Sequence, residues 1–283
     1  MGRIAVVTDA TADLPDRVVR RRGLHVVPLS VTFGDETFVA GETITADEFY
    51  GRLATSRTPP MTSQPTPVDF ARCYADIADE GYDRIVSIHC SSELSGTFDV
   101  ARTQAPKAPV PVEVVDSRVI GASLGLAVLA AADVIDSDGE VADALAAVAH
   151  VRDRGVGLLV VDTLEFLKRG GRLSGPQAAI GTALRVKPLL HLTDGRVEIR
   201  ERTRTWARAR DRVVEIVAGL AASGPVDIAI VHAVGAQHAM ELRSAITHRA
   251  DAEVRFESVI GPIVGTHVGP GAIGVAAVPS TVR

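Results

Sequence analysis

Short apolar runs that alternate with amphipathic stretches constrain this chain more than any other feature of its 283 residues. In the first half the apolar runs are Ile4–Thr8, His25–Thr32, Ile85–His89 and Val112–Val115. Helical patterns lie between or after them, at Asp16–Arg22, Ala46–Ala54, Val68–Glu80, Gly96–Gln104, Ala122–Ile135 and Val141–Arg154. Strands alternating with helices of this length predict βαβ units around a parallel sheet. The second half reads differently. A strand at Val156–Val161 precedes helices at Leu164–Arg169 and Gln177–Leu184, and Val186–Leu192 and Arg196–Arg202 flank the hairpin signal Asp194-Gly195. A helix at Thr205–Ala222, a strand at Val226–His232, a helix at Ala236–Arg249 and strands at Glu253–Ser258 and Ala272–Val278 follow. A hairpin combined with βαβ pieces implies a mixed sheet. The expected fold class is therefore α/β with two domains. Residues 1–155 form a three-layer α/β/α domain with a mainly parallel sheet, and residues 156–283 form an α+β domain. The boundary is placed where Arg152-Asp153-Arg154 meets Gly155.

Composition narrows the function. With 46% hydrophobic residues the chain has ample material for a core, which excludes wholesale disorder. A net charge of −5 argues against a general nucleic-acid binder. Aromatics are only 4%, yet the mean hydropathy is +0.19, so the apolar mass is Ala, Val, Leu and Ile. The longest stretch free of Asp, Glu, Lys and Arg, Ser258–Val282, is long enough to cross a bilayer, but its five glycines and three prolines forbid a spanning helix. The charge-free run Val119–Ala132 is too short to span. Met1–Val7 lacks the long apolar centre of a signal peptide, so the expected compartment is the cytoplasm, with no membrane span and at most transient membrane contact. Cys73 and Cys90 fit no metal spacing and are expected as buried thiols; no metal and no cofactor is expected.

Hydroxyl-rich segments stand where α/β proteins place ligands, just past the carboxyl ends of strands. They are Thr8–Asp13, and Ser91–Thr97 at the start of a helix. A third, Thr58–Pro67, holds Thr62-Ser63 among prolines; Thr66 with Pro67 explains only its end, as a helix start. Lys168, Arg169 and Arg172 surround Gly170-Gly171 and read as a mobile cationic loop, although Lys168 and Arg169 also suit a helix C-terminus. Six Arg lie between Arg200 and Arg212, mostly as a solvated helix face, with one Arg available to meet an anion. Gly269–Gly274 fits G-x-G-x-x-G, but a strand follows where a dinucleotide site needs a helix, so a turn is expected. Gly261–Gly271 reads as a glycine-rich loop around His267.

Taken together these segments resemble the DegV family of bacterial fatty-acid-binding proteins. The resemblance rests on Thr8–Pro15, where Ala10 replaces the usual Ser, on Thr62–Thr66, Ser91–Thr97 and Thr163–Gly175, and on Gly261–Gly271. It implies a long-chain fatty acid, palmitate- or oleate-like, in a buried apolar tunnel whose small aliphatic walls leave room for an acyl chain. Carried over by position, Thr62 and Ser95 bind the carboxylate, with Ser63, Ser92, His267 and Arg204 as head-group neighbours. Neutral hydroxyls hold a carboxylate without the desolvation cost of burying an Arg beside it. The resemblance also implies a carrier rather than an enzyme, one that presents its acid to a separate ATP-dependent fatty acid kinase feeding phospholipid synthesis. Lys168, Arg169 and Arg172 are then candidates for docking that partner. The alternative is a serine esterase or acyl-transfer enzyme with Ser95 as nucleophile, His267 as base and Asp116 as orienter.

Overall fold

The computed structural model describes residues 2–174 and 186–281; the helix expected at Gln177–Leu184 lies outside them. The first sheet is parallel, as the alternation requires. β1 (Ile4–Asp9) lies between β2 (His25–Val27) and β6 (Arg84–His89), and β7 (Val112–Asp116) lies beside β6. The pleat sends alternate side chains to opposite layers. Ala5, Val7 and Ile85 pack with Phe70, Tyr74, Ile77 and Ala101 of α3 (Pro67–Asp79) and α4 (Thr97–Gln104). Val6, Val86 and Ile88 pack on the other side against α5 (Ala122–Asp136).

One expected strand divides. His25–Thr32 supplies β2 and then, beyond Pro28, β3 (Ser30–Phe33), which joins a small antiparallel sheet with β4 (Glu36–Val39) and β5 (Met61–Ser63). Proline cannot donate to a ladder, so the chain leaves the parallel sheet there. The following helix, α2 (Ala46–Thr55), begins with a Thr45/Glu48 capping box.

The second sheet is mixed. Its order is β10 (Arg196–Thr203), β9 (Lys187–Thr193), β8 (Val156–Val160), β13 (Ile273–Pro279), β11 (Val226–His232), β12 (Ala252–Val259), and only β11 and β12 are parallel. Asp194 and Gly195 both take positive φ, +48° and +81°, as the two-residue hairpin demands. α8 (Trp206–Ala221) and α9 (Gln237–Arg249) cover one face through Val213, Val217, Leu242 and Ile246.

The other face meets α5. The charge-free run, where a helix is expected over Ala122–Ile135, supplies the central helix, flanked by α6 (Val141–Arg154) and packed against strands of both large sheets. A helix that is apolar all round must be buried all round. Ala122–Leu129 are buried without exception, and Gly125 lets Phe256 of β12 approach so closely that a Cβ would lie 2.4 Å from its ring. Among the described residues no helix is long and apolar enough to cross a membrane.

The glycine-rich segment also departs from expectation. Pro262–Val268 is a two-turn helix, α10, opened by Gly261 and Pro262. Proline suits a first helical turn, where its missing N–H has no partner to lose. Gly265 is there for space: a Cβ would lie 2.8 Å from both Phe49 Cε1 and Tyr50 Oη of α2. Replacing Gly265 by Val is expected to destabilise the fold by about 1–3 kcal/mol through overpacking, seen as a lower urea midpoint at unchanged slope. An unchanged midpoint would mean that α2 and α10 do not pack in solution.

Candidate functional site

The chain passes from β1 to β2 on one side and later returns across β1 to β6 on the other, so a topological switch point lies between the carboxyl ends of β1 and β6. The two hydroxyl-rich loops leave from there. A fully buried network fixes their start. Asp9 Oδ1 accepts from Thr11 N at 3.0 Å and from Thr11 Oγ1 at 2.5 Å. Asp9 Oδ2 accepts from Cys90 N and pairs with His89 Nδ1, both at 3.0 Å. His89 Nε2 continues to Ser87 Oγ at 2.7 Å, and Ser87 Oγ to Tyr74 Oη at 2.9 Å. Burial works to raise the Asp9 carboxyl, but its bonds to His89, Thr11 and Cys90 outweigh that and hold it below the usual range. The chain Asp9–His89–Ser87 has the residue types of a catalytic triad, yet all three are completely buried. Asp9, His89 and Ser87 hold the starts of the two loops and are not among the residues that line the cavity above them.

Above this network a cavity opens between the two sheets, leaving about 1140 Å³ free of protein atoms, part of it open to solvent. Thr62, Ser95, Arg172 and His267 line it together with Leu29, Leu167, Leu190, Ile263 and Val275. No Phe, Tyr or Trp is among its described lining residues.

Each polar group arrives by a different route. β5 alternates, so Thr62 turns inward while Met61 and Ser63 are exposed. Thr62 Oγ1 pairs with His267 Nε2 of α10 at 3.0 Å. Burial, and then the positive charge of Arg172, push the His267 pKa down to about 4, so the imidazole is neutral at neutral pH. Its Nδ1, buried against Gly170, has no hydrogen-bond partner among the described residues. Ser95 Oγ bonds Thr97 Oγ1 at 2.8 Å and accepts from Thr97 N in the first turn of α4.

Other expected positions differ. Ser63 points outward, and Ser92 is engaged elsewhere, its hydroxyl on Asp116 Oδ2 at 2.5 Å. Neither lines the cavity. Arg204 is exposed in the turn after β10, whose pairing with β9 ends at Thr203, and it too is off the cavity wall. The triad Ser95–His267–Asp116 is not assembled, because His267 Nε2 meets Thr62 and Asp116 holds Ser92 and the Arg118 N–H. Arg172 is not on a free docking loop. Its guanidinium donates to Leu94 O at 3.1 Å and to Gly170 O, tying the Ser91–Thr97 loop to the end of α7 (Glu165–Arg169), and it lines the cavity. The cation in the cavity wall is therefore Arg172, where the expected head-group neighbour was Arg204. Arg169 is exposed, with its guanidinium 5.7 Å from the Phe166 ring centroid, and Lys168 is half-buried.

Sequence reasoning also missed Gln64 and Ser123 as cavity residues. Gln64 follows Thr62 at the strand period and lies against Gly96, where a Cβ would be 2.1 Å from its Oε1. That period was the available signal for Gln64; for Ser123, on the buried α5, there was none.

The chain is similar to known proteins over nearly its whole length. A family model described as uncharacterised protein, DegV family, matches residues 3–280. A DegV domain-containing protein of Streptomyces coelicolor is 44% identical over 277 residues, covering 96% of this chain and 97% of its own. A DegV family protein from Thermus thermophilus, whose structure is described as fatty acid binding, is 34% identical with a TM-score of 0.91, covering 98% of this chain and 100% of its own. DegV from Bacillus subtilis, described as a fatty acid binding protein, is 31% identical with a TM-score of 0.89, over 99% of this chain and 100% of its own. With a family model matching residues 3–280 and with sequence and fold shared over nearly its whole length, the chain belongs to the DegV family.

Proposed function

We propose that this protein binds one long-chain fatty acid in the cavity between its two halves, residues 1–155 and 156–283, with the carboxylate at Thr62 and Ser95. One observation carries the reading: a mainly aliphatic cavity, with no Phe, Tyr or Trp among its described lining residues and with Thr62, Ser95, Arg172 and His267 in its wall. Each buried methylene contributes roughly 0.8 kcal/mol before the costs of binding, so the chain supplies affinity and the polar groups supply orientation. Arg172 adds charge complementarity, and a carboxylate arriving at Thr62 would draw the neutral His267 toward its charged form.

The DegV relatives described as fatty acid binding support the same reading. The protein then acts as a cytoplasmic carrier that presents the acid to an ATP-dependent fatty acid kinase, with Lys168 and Arg169 as docking positions. The esterase reading is disfavoured, since the partners of Ser95, His267 and Asp116 are other residues. Organic extracts of the purified protein are expected to contain a long-chain fatty acid at about one per chain, and lipid-stripped protein to take up palmitate or oleate saturably. Extracts without fatty acid, together with no uptake, would overturn the proposal.

A further inference from the structure

The cavity contains a second polar station, on a different wall from Thr62 and His267. It is the N-terminus of the 15-residue α5, whose Gly121, Ala122 and Ser123 line the void. Gly121, at φ +61°, gives its own N–H to Thr11 O at 2.9 Å. No side chain caps this helix, and among the described residues the N–H groups of Ala122, Ser123 and Leu124 have no partner. Ser123 is only 5% exposed, and among the described residues its hydroxyl makes no hydrogen bond. The hydroxyl faces Gly157 of β8, where a Cβ would lie 2.7 Å from Ser123 Oγ. Ser123 and Gly157 also border an adjoining polar cavity that carries Arg118, Arg152 and Asp194.

A purely hydrocarbon chain that displaced water from this wall would strand a cluster of donors without acceptors, which is costly. An oxygen on the chain removes the cost, because the helix N-terminus and the Ser123 hydroxyl both donate to it. We propose that the acyl site is built for oxygenated chains, with a hydroxyl or oxo group of the fatty acid received by Ser123 and the first N–H groups of α5. The inference rests on the fatty-acid reading above and adds a substrate class to it.

The test measures stearic acid against hydroxystearic acids with the hydroxyl near the carboxyl, at mid-chain and at the far end. Lipid-stripped wild type and Ser123→Ala are compared. Alanine is the better helix former, so the variant is expected to fold, which its urea midpoint verifies. In the wild type at least one hydroxystearic acid is expected to bind about fivefold to tenfold tighter than stearic acid, the worth of one net hydrogen bond. In Ser123→Ala that ratio is expected to fall toward one. A wild-type ratio of one or less for every isomer, or a ratio that survives the substitution, overturns the inference. So does an equal loss of stearic and hydroxystearic acids, which would make Ser123 a carboxylate or structural residue. Failure of stearic acid itself to bind would remove the fatty-acid reading, whereas a flat ranking around bound stearic acid removes only this inference.

Discussion

Replacing Thr62 and Ser95 together by Ala is expected to lower palmitate affinity by on the order of a thousandfold, and each single change by about ten- to a hundredfold. A hydrogen bond to a charged group contributes about 1.5–3 kcal/mol, and the proposed carboxylate site would lose two such bonds. The acyl part of the cavity is untouched, so the loss falls on orientation of the head group and not on burial of the chain. Folding suffers less. Thr62→Ala removes the bond to His267 Nε2, and Ser95→Ala removes the acceptor for Thr97 N in the first turn of α4, each worth about 0.5–2 kcal/mol. Equilibrium binding to variants whose urea slope matches the wild type separates the two effects. A double variant that still binds palmitate with wild-type affinity would move the carboxylate to another wall of the cavity.

The second large effect concerns Asp13, which takes φ +50° and holds the two halves together. Its Oδ1 accepts from the Gly261 N–H at 2.8 Å, at the start of α10, and its carbonyl accepts from the Ser258 hydroxyl. Its Oδ2 is buried with no partner among the described residues. Burial pushes the carboxyl up, against the opposing bond from Gly261 and with a further push from Asp9, to about 8. The folded protein thus keeps a proton that the unfolded chain releases near 3.8. Between those two values the native state binds more protons, so this group's contribution is fully present below 3.8 and declines as pH rises to about 8. The full span amounts to on the order of 5 kcal/mol. Asp13→Asn keeps an acceptor for Gly261 and cannot ionise, so its stability is expected to fall much less than the wild type's between pH 5 and pH 8.5. Urea unfolding of both proteins at the two pH values checks this, and equal declines would show that Asp13 is already ionised in the native state. His25, His191 and His267, all pushed down by burial, stabilise in the opposite sense as pH rises, and they are common to both proteins.

Much of the fold was legible because strand and helix periods are local. The apolar runs Ile4–Thr8 and Ile85–His89, set between helical stretches, named parallel strands, and Asp194-Gly195 named the hairpin of the second sheet. The small sheet escaped because β3, β4 and β5 span only three or four residues each, too few for a period to register. α10 escaped because Gly265 reads as a helix breaker until Phe49 and Tyr50 are seen to need its missing side chain. Within the site, the hydroxyl loops were visible by position after strands. Arg172 was misread because a cation beside two glycines looks the same whether it faces solvent or bonds to Leu94, 78 residues away.

The sequence by itself determined the α/β class, the parallel and mixed sheets and the segments from which a ligand site is drawn, since these depend on residue spacing along a few turns or strands. Tertiary structure alone decided that Val119–Ala132 runs into a helix shared by both sheets, and that the gap beside this helix is a cavity. It also decided which of the many hydroxyls, histidines and arginines face that cavity. Those outcomes depend on contacts such as Thr62 with His267 and Asp13 with Gly261, made across more than 200 residues. Such pairs are set by how two sheets close on one helix, and no local pattern encodes them.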